Sequence, residues 1–183
     1  MILTTGSTSS ISGTLEHICT LPPPANAETA IRARPYSENG AVPYQEIIRH
    51  PALGNAMTNS GAFHATGTGT LIRRQTSPVF EELEISAESI LIRRKGKETE
   101  RRISVRLALF LSTLAAIVTG KPEDIDGSYS QNLEIRPDGW TVLLTTPKNP
   151  KEVIALTGCG PVLSTLQVRS PNGQQRQFRF VAP

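Results

Sequence analysis

The sequence predicts an α+β fold, a curved antiparallel sheet with one apolar face and helices laid over that face. Three observations lead there. Beyond residue 128 the chain alternates polar and apolar residues in short runs, the period of half-buried strands. The runs are parted by strong turn signals at regular spacing, the tetrapeptides ending at Gly139, Pro150, Pro161 and Gly173, which favours an antiparallel meander. Upstream, residues 107–118 form an apolar run, broken only by Ser112 and Thr113 and closed by Gly120, Lys121 and Pro122. As a helix that run would be about 18 Å long, too short for the ~30 Å core of a bilayer. Leu107, Leu111, Leu114 and Val118 make one stripe, and Phe110, Ala115 and Ile117 widen it beyond the usual apolar arc. Such a helix is either deeply buried or the movable cover of a hydrophobic cavity.

The elements follow in order. Ile11, Leu15, Ile18 and Leu21 fit a short amphipathic helix over residues 10–21, ended by Pro22, Pro23 and Pro24. Residues 25–42 are polar and turn-rich and read as loop. Residues 44–50 make a first strand, and 51–61 a small polar connection. Residues 63–74 read as one long strand, eased by Gly67 and Gly69. Strands at 79–86 and 89–95 follow, then a hairpin turn at Gly96 and Lys97 into a strand at 100–105. After the apolar helix, residues 121–127 are a connection or a short second helix. Strands at 129–135, 139–146, 152–157, 162–170 and 174–181 complete the chain.

Alternation sorts the faces. Trp140, Val142 and Leu144 share one face of their strand, Tyr129, Leu133 and Ile135 one face of the strand before, and Phe178 and Phe180 one face of the last. Glu134, Gln167, Arg169 and Arg179 fall on the opposite side. A sheet with one apolar face must be covered, and the helices at 10–21 and 107–118 are the substantial covers available.

Length and composition point to a single domain over residues 1–183, with 1–9 read as disordered or added to the natural start. Hydrophobic content is 38% and aromatic content 5%, a lean core filled mainly by Leu, Ile and Val. The net charge is +3. Apart from Arg93, Arg94 and Lys95 and the pair Arg101 and Arg102, the basic residues are dispersed, so no nucleic-acid footprint is forced. A solvated charged hairpin accounts for both clusters. Cys19 and Cys159 match no zinc or redox spacing. They are either two unpaired thiols or, in an exported protein, a disulfide closing a long loop. The first ten residues lack a basic stretch followed by an apolar one and are not a signal peptide as they stand.

Enzyme signatures are absent. The chain has no nucleophile elbow, P-loop, dinucleotide fingerprint or zinc-protease motif. His17, His50 and His64 lack metal-like spacing, and Glu81, Glu82, Glu84 and Glu88 read as a charged sheet edge. No catalytic residue, metal or cofactor is expected.

Residues 69–80, from Gly69 through Arg73 and Arg74 to Pro78 and Phe80, look like the strand-turn-strand element of LolA-type periplasmic carriers of outer-membrane lipoproteins. The later order also resembles that family: strand, charged turn, strand, apolar helix, the run from Gly139 and Trp140 to Pro147, and a terminal hairpin from Leu166 to Phe180. The resemblance covers residues 44–183. It implies an incomplete barrel whose concave surface holds acyl chains under a helical lid and performs no chemistry. On that reading Leu83, Ile85, Trp140, Val142, Leu144, Phe178 and Phe180 line the cavity, and Leu107, Phe110, Leu111, Leu114, Ile117 and Val118 form the lid. Arg74, or Arg73 beside it, latches the lid through its backbone carbonyls. The implied location is the periplasm, with a leader already removed. The implied partners are lipoprotein or lipid acyl chains, an inner-membrane donor and an outer-membrane acceptor, met by transient association with membrane-bound proteins rather than insertion. From the residues alone, a structural or protein-interaction β-domain in which the same helix is permanent core stands as the alternative.

Overall fold

The computed structural model describes residues 18–180, except 38, 67–69, 87–88, 126 and 148. Eleven strands form one antiparallel sheet in the order β6-β5-β4-β3-β2-β1-β11-β10-β9-β8-β7. The first six are β1 (Ala41–Arg49), β2 (Met57–Ala65), β3 (Leu71–Ser77), β4 (Glu81–Ile85), β5 (Ser89–Arg94) and β6 (Lys97–Arg102). The remaining five are β7 (Ser130–Arg136), β8 (Gly139–Thr145), β9 (Val153–Cys159), β10 (Val162–Arg169) and β11 (Gln175–Phe180). Two meanders are therefore joined side by side through β1 and β11, with Tyr44 opposite Phe180 and Glu46 opposite Phe178. β6 and β7 are the two free edges, so the sheet is not closed. The segment between those edges is the helix α2 (Val105–Thr119), and the connectivity itself carries it over the sheet.

Ser104 caps the start of α2 by accepting a hydrogen bond from the Leu107 amide at 3.3 Å. Gly120 ends it in the left-handed conformation, φ 68°, and the Lys121 amide returns to the Ala116 carbonyl at 2.8 Å. A side chain at Gly120 would also meet the Arg32 carbonyl at 2.9 Å. That contact brings the end of α2 against a second, five-residue helix, α1 (Ala27–Ile31). A 3₁₀ turn at Pro122–Asp124 follows α2, as expected for the stretch read as a connection or short helix.

The sequence reading needs correction at several elements. Residues 63–74 are not one strand but parts of β2 and β3, with Phe63 opposite Arg73 across the hairpin. The strand period runs unbroken into the turn from both sides, and so conceals it. Residues 57–61, read as connection, belong to β2. α1 lies within the stretch read as loop; Asn26 caps it, its side-chain oxygen accepting from the Thr29 amide at 2.8 Å. The hairpin turn falls at Lys95 and Gly96, both at positive φ, one residue earlier than expected, so β6 starts at Lys97. Most of the proposed helix at 10–21 lies outside the described residues, and its last residues, 18–21, are not helical.

Cys19 and Cys159 form a disulfide, their Cα atoms 5.7 Å apart. Of the two alternatives, the structure has the disulfide rather than unpaired thiols. The Cys19 amide also donates to the Pro137 carbonyl at 3.0 Å, and Arg34 joins β10 through bonds to Pro161 and Leu163. This segment and α1 close over the β7–β10 half. There Trp140, Val142, Leu144, Ile154, Leu156 and Leu166 are all essentially inaccessible. The Trp140 ring N–H donates to the Gly160 carbonyl at 2.9 Å, and a side chain at Gly158 would strike the ring at 2.4 Å.

Candidate functional site

α2 is not buried evenly. Ala116, Ile117 and Val118, in its last turns, are closed off from solvent at 2%, 0% and 6% exposure, whereas Leu107 and Leu109 near its start are 39% and 44% exposed. The helix is anchored at its C-terminal end, and beneath its N-terminal half lies a cavity of about 490 Å³. From above, Leu107, Phe110, Leu111 and Leu114 line it; from the sheet, Phe63, Leu83, Ile85, Ile90, Val168 and Phe178 do so. A smaller cleft of about 290 Å³ lies on the other flank of the helix, and Leu111 and Ile85 border both spaces. The lining is that of a typical small-molecule pocket: apolar walls with a few convergent polar groups.

Polar groups reach the cavity from inward strand positions, Arg73 and Arg176, and from strand and helix ends, Ser104, Glu152, Ser170 and Gln174. Glu46 is fully buried and accepts from the guanidinium of Arg73, from Asn59 at 2.9 Å and from Arg176 at 3.1 Å. Arg73 also donates to Gln75 at 3.1 Å, lies over the Tyr44 ring at 5.4 Å from its centroid, and lines the cavity together with Arg176. Its Nε and the Tyr44 hydroxyl are buried without a hydrogen-bond partner. Burial pushes the Tyr44 hydroxyl up to about 12. The Tyr44, Phe63 and Phe178 rings form a cluster with centroids 4.7 to 5.6 Å apart, a rigid floor beside the ion pair.

The residues expected at a cavity divide between two places. Leu83, Ile85 and Phe178 line it, as do Leu107, Phe110, Leu111 and Leu114. Trp140, Val142 and Leu144 instead lie in the close-packed core, to which Ile117 and Val118 of α2 also belong. Phe180 packs at the margin of that core. Phe63, Ile90, Val168, Arg73 and Arg176 had not been foreseen as lining residues, because their common face follows only from the strand register.

Neither arginine expected to latch the helix bonds to a helix carbonyl among the described residues. Arg74 has the outward phase and forks onto Glu82 at 2.9 and 2.8 Å; Arg73 has the inward phase, and its partners are on β1 and β3. Arg74, Glu82, Arg93 and Glu98 lie in register across four strands. Arg93 donates to Glu82, Glu84 and Glu98 at 2.9, 3.0 and 2.6 Å. The hydrogen bond from Arg74, with a second from Arg93, holds the Glu82 carboxyl below the usual range. Glu81 faces inward, 4.0 Å from Arg73, and Glu88 and His17 lie outside the described residues. His50 accepts a hydrogen bond from the Ala52 amide through Nδ1 at 3.2 Å. Among the described residues no acidic, His or Cys cluster could hold a metal, and no helix is long and apolar enough to cross a membrane.

Several solved structures are similar to this chain at low sequence identity. One is a LolA superfamily protein from Nitrosomonas europaea: TM-score 0.41, 11% identity, covering 85% of this chain and 90% of that one. MucB is similar at TM-score 0.41 and 14% identity over 87% of this chain, which spans 62% of the MucB chain. A DUF1329 family protein from Desulfovibrio piger is similar at TM-score 0.39 and 10% identity, over 87% of this chain and 92% of that one. No family model matches the sequence, and no curated protein does. What the cavity can hold follows from its own lining.

Proposed function

We propose that the protein is a non-enzymatic carrier that binds acyl chains of lipids or lipoproteins in the cavity beneath α2, for transfer toward the outer membrane. The observation that carries this reading is the partly vacant space of about 490 Å³ between α2 and strands β2–β5, β10 and β11. An apolar void forfeits dispersion contacts and costs stability unless a ligand fills it. Leu83, Ile85 and Phe178 serve as cavity wall, and Leu107, Phe110, Leu111 and Leu114 as the lid that yields to cargo. The disulfide supports an oxidising compartment, the periplasm, as the place of work. Donor and acceptor proteins at the two membranes are the partners such a carrier needs. MucB has been solved in complex with MucA, and a protein partner is proposed here in the same general sense.

The test is mass spectrometry of lipid extracted from the purified protein, paired with thermal unfolding in the presence of fatty acids and a hydrophobic dye. Co-purified acyl lipid, and a midpoint raised by acyl ligands, are the expected results, since a ligand selective for the folded state stabilises it by mass action. Absence of lipid together with no thermal shift from any acyl ligand would overturn the carrier and leave an interaction domain.

A further inference from the structure

The positive charge of this protein is concentrated in one place. Residues 89–102, the β5–β6 hairpin, carry six basic side chains against Glu98 and Glu100, a net +4 where the whole chain has +3. Arg93 is engaged with three carboxylates. Arg94, Lys95, Lys97, Arg101 and Arg102 are exposed and in no described ion pair. β6 is a free edge of the sheet and exposed along its whole length. Two residues beyond it α2 begins, presenting Leu107 and Leu109 to solvent, and Leu107 also lines the cavity. Basic side chains, exposed leucines and a cavity wall are thus contiguous along the chain.

We propose that this hairpin and the first turns of α2 dock on an anionic phospholipid leaflet, the leucines entering the interface beside the cavity. Charge complementarity favours this occupant, because basic residues close to a negatively charged leaflet are each worth about fivefold in affinity. The exposed Leu107 and Leu109 favour a bilayer over nucleic acid, which offers phosphates but no apolar layer. Docking is reversible: a few charges and two leucines amount to interfacial association, not insertion.

The test is co-sedimentation of the full chain with vesicles of phosphatidylcholine alone or mixed with phosphatidylglycerol, at low and high salt. Binding to the mixed vesicles that weakens with salt, and little binding to phosphatidylcholine, is expected. Replacing Arg94, Lys97 and Arg101 by Gln should lower affinity for the mixed vesicles about a hundredfold, with the melting temperature kept. Replacing Arg49, Lys151 and Arg169, exposed residues outside the hairpin, removes the same charge and should leave affinity unchanged. Leu109→Ser should weaken binding on its own. Equal loss in both triple variants would overturn the proposal in favour of net charge alone. No binding to mixed vesicles, with retention on polyglutamate, would overturn it in favour of an acidic protein partner; no binding to either overturns it outright. Ligand uptake by the cavity is measured without vesicles, so that result does not depend on this one.

Discussion

The two ends of α2 should respond differently to the same deletion. Ile117→Ala removes three carbons from a fully buried side chain. At about 0.8 kcal/mol per methylene the transfer loss is roughly 2.4 kcal/mol, and a residual cavity adds about 24 cal/mol for each Å³ that does not collapse. A total near 4 kcal/mol is expected, a fall of about 2–4 °C in Tm for each kcal/mol in a chain of this size. Leu114→Ala removes as many carbons, but from a side chain already bordering the void. It loses roughly half the transfer energy and opens no new enclosed space, so its expected cost is about 1–1.5 kcal/mol. Urea unfolding of both variants, with and without a saturating acyl ligand, measures the difference. Ligand at a hundred times its dissociation constant should add about 2.7 kcal/mol to the wild type, and should do so in Leu114→Ala as well. Equal costs for the two substitutions would mean that α2 is packed alike along its length, and the lid reasoning would be wrong.

Three further outcomes are expected. Glu46→Ala should destabilise by about 3–5 kcal/mol in denaturant unfolding, because it leaves the buried Arg73 charge without its main partner. Adding Arg73→Met should recover part of that loss, and no recovery would show that the pair is not coupled. Tyr44 has its folded-state value raised to about 12 from an ordinary 10, so the stability it contributes is complete below pH 10 and lost as pH rises toward 12, about 3 kcal/mol in all. Unfolding of the wild type across that window should therefore be steeper with pH than that of Tyr44→Phe; parallel curves would contradict this. Removing the disulfide with Cys19→Ser and Cys159→Ser frees a span of 140 residues and should cost about 4–5 kcal/mol by loop-closure entropy, read as a lower midpoint.

The meander, its apolar face and the covering helix were legible because each rests on local period and turn chemistry. Depth was not. Alternation places Trp140, Val142 and Leu144 on the same side as Leu83 and Ile85, but does not say which end of that side is filled. That depends on where α1 and the end of α2 settle, a matter of long-range packing. The polar floor did leave a trace. Glu46 stands between Tyr44 and Ile48 in the buried phase of β1, where a carboxylate is costly unless paired, and it announced a partner on a neighbouring strand. The identity of that partner required the register: Arg73 and Arg74 are indistinguishable by composition, and a one-residue step puts one inside and the other outside.

The vacancy itself follows from topology and size. Eleven strands spaced about 4.8 Å apart make a sheet roughly 48 Å across, measured along the curve. A fifteen-residue helix is about 22 Å long and cannot cover that arc. The β7–β10 half is closed by additional material: α1 and the segment tied down through Cys19. Beneath the exposed start of α2, Phe63, Leu83, Ile90 and Phe178 face the partly vacant space that the helix leaves. Extending the cover there with larger side chains would stabilise the free protein and remove the room for a ligand. The retained gap, floored by a buried ion-pair network and roofed by leucines, is therefore the feature of this fold that packing alone would have eliminated.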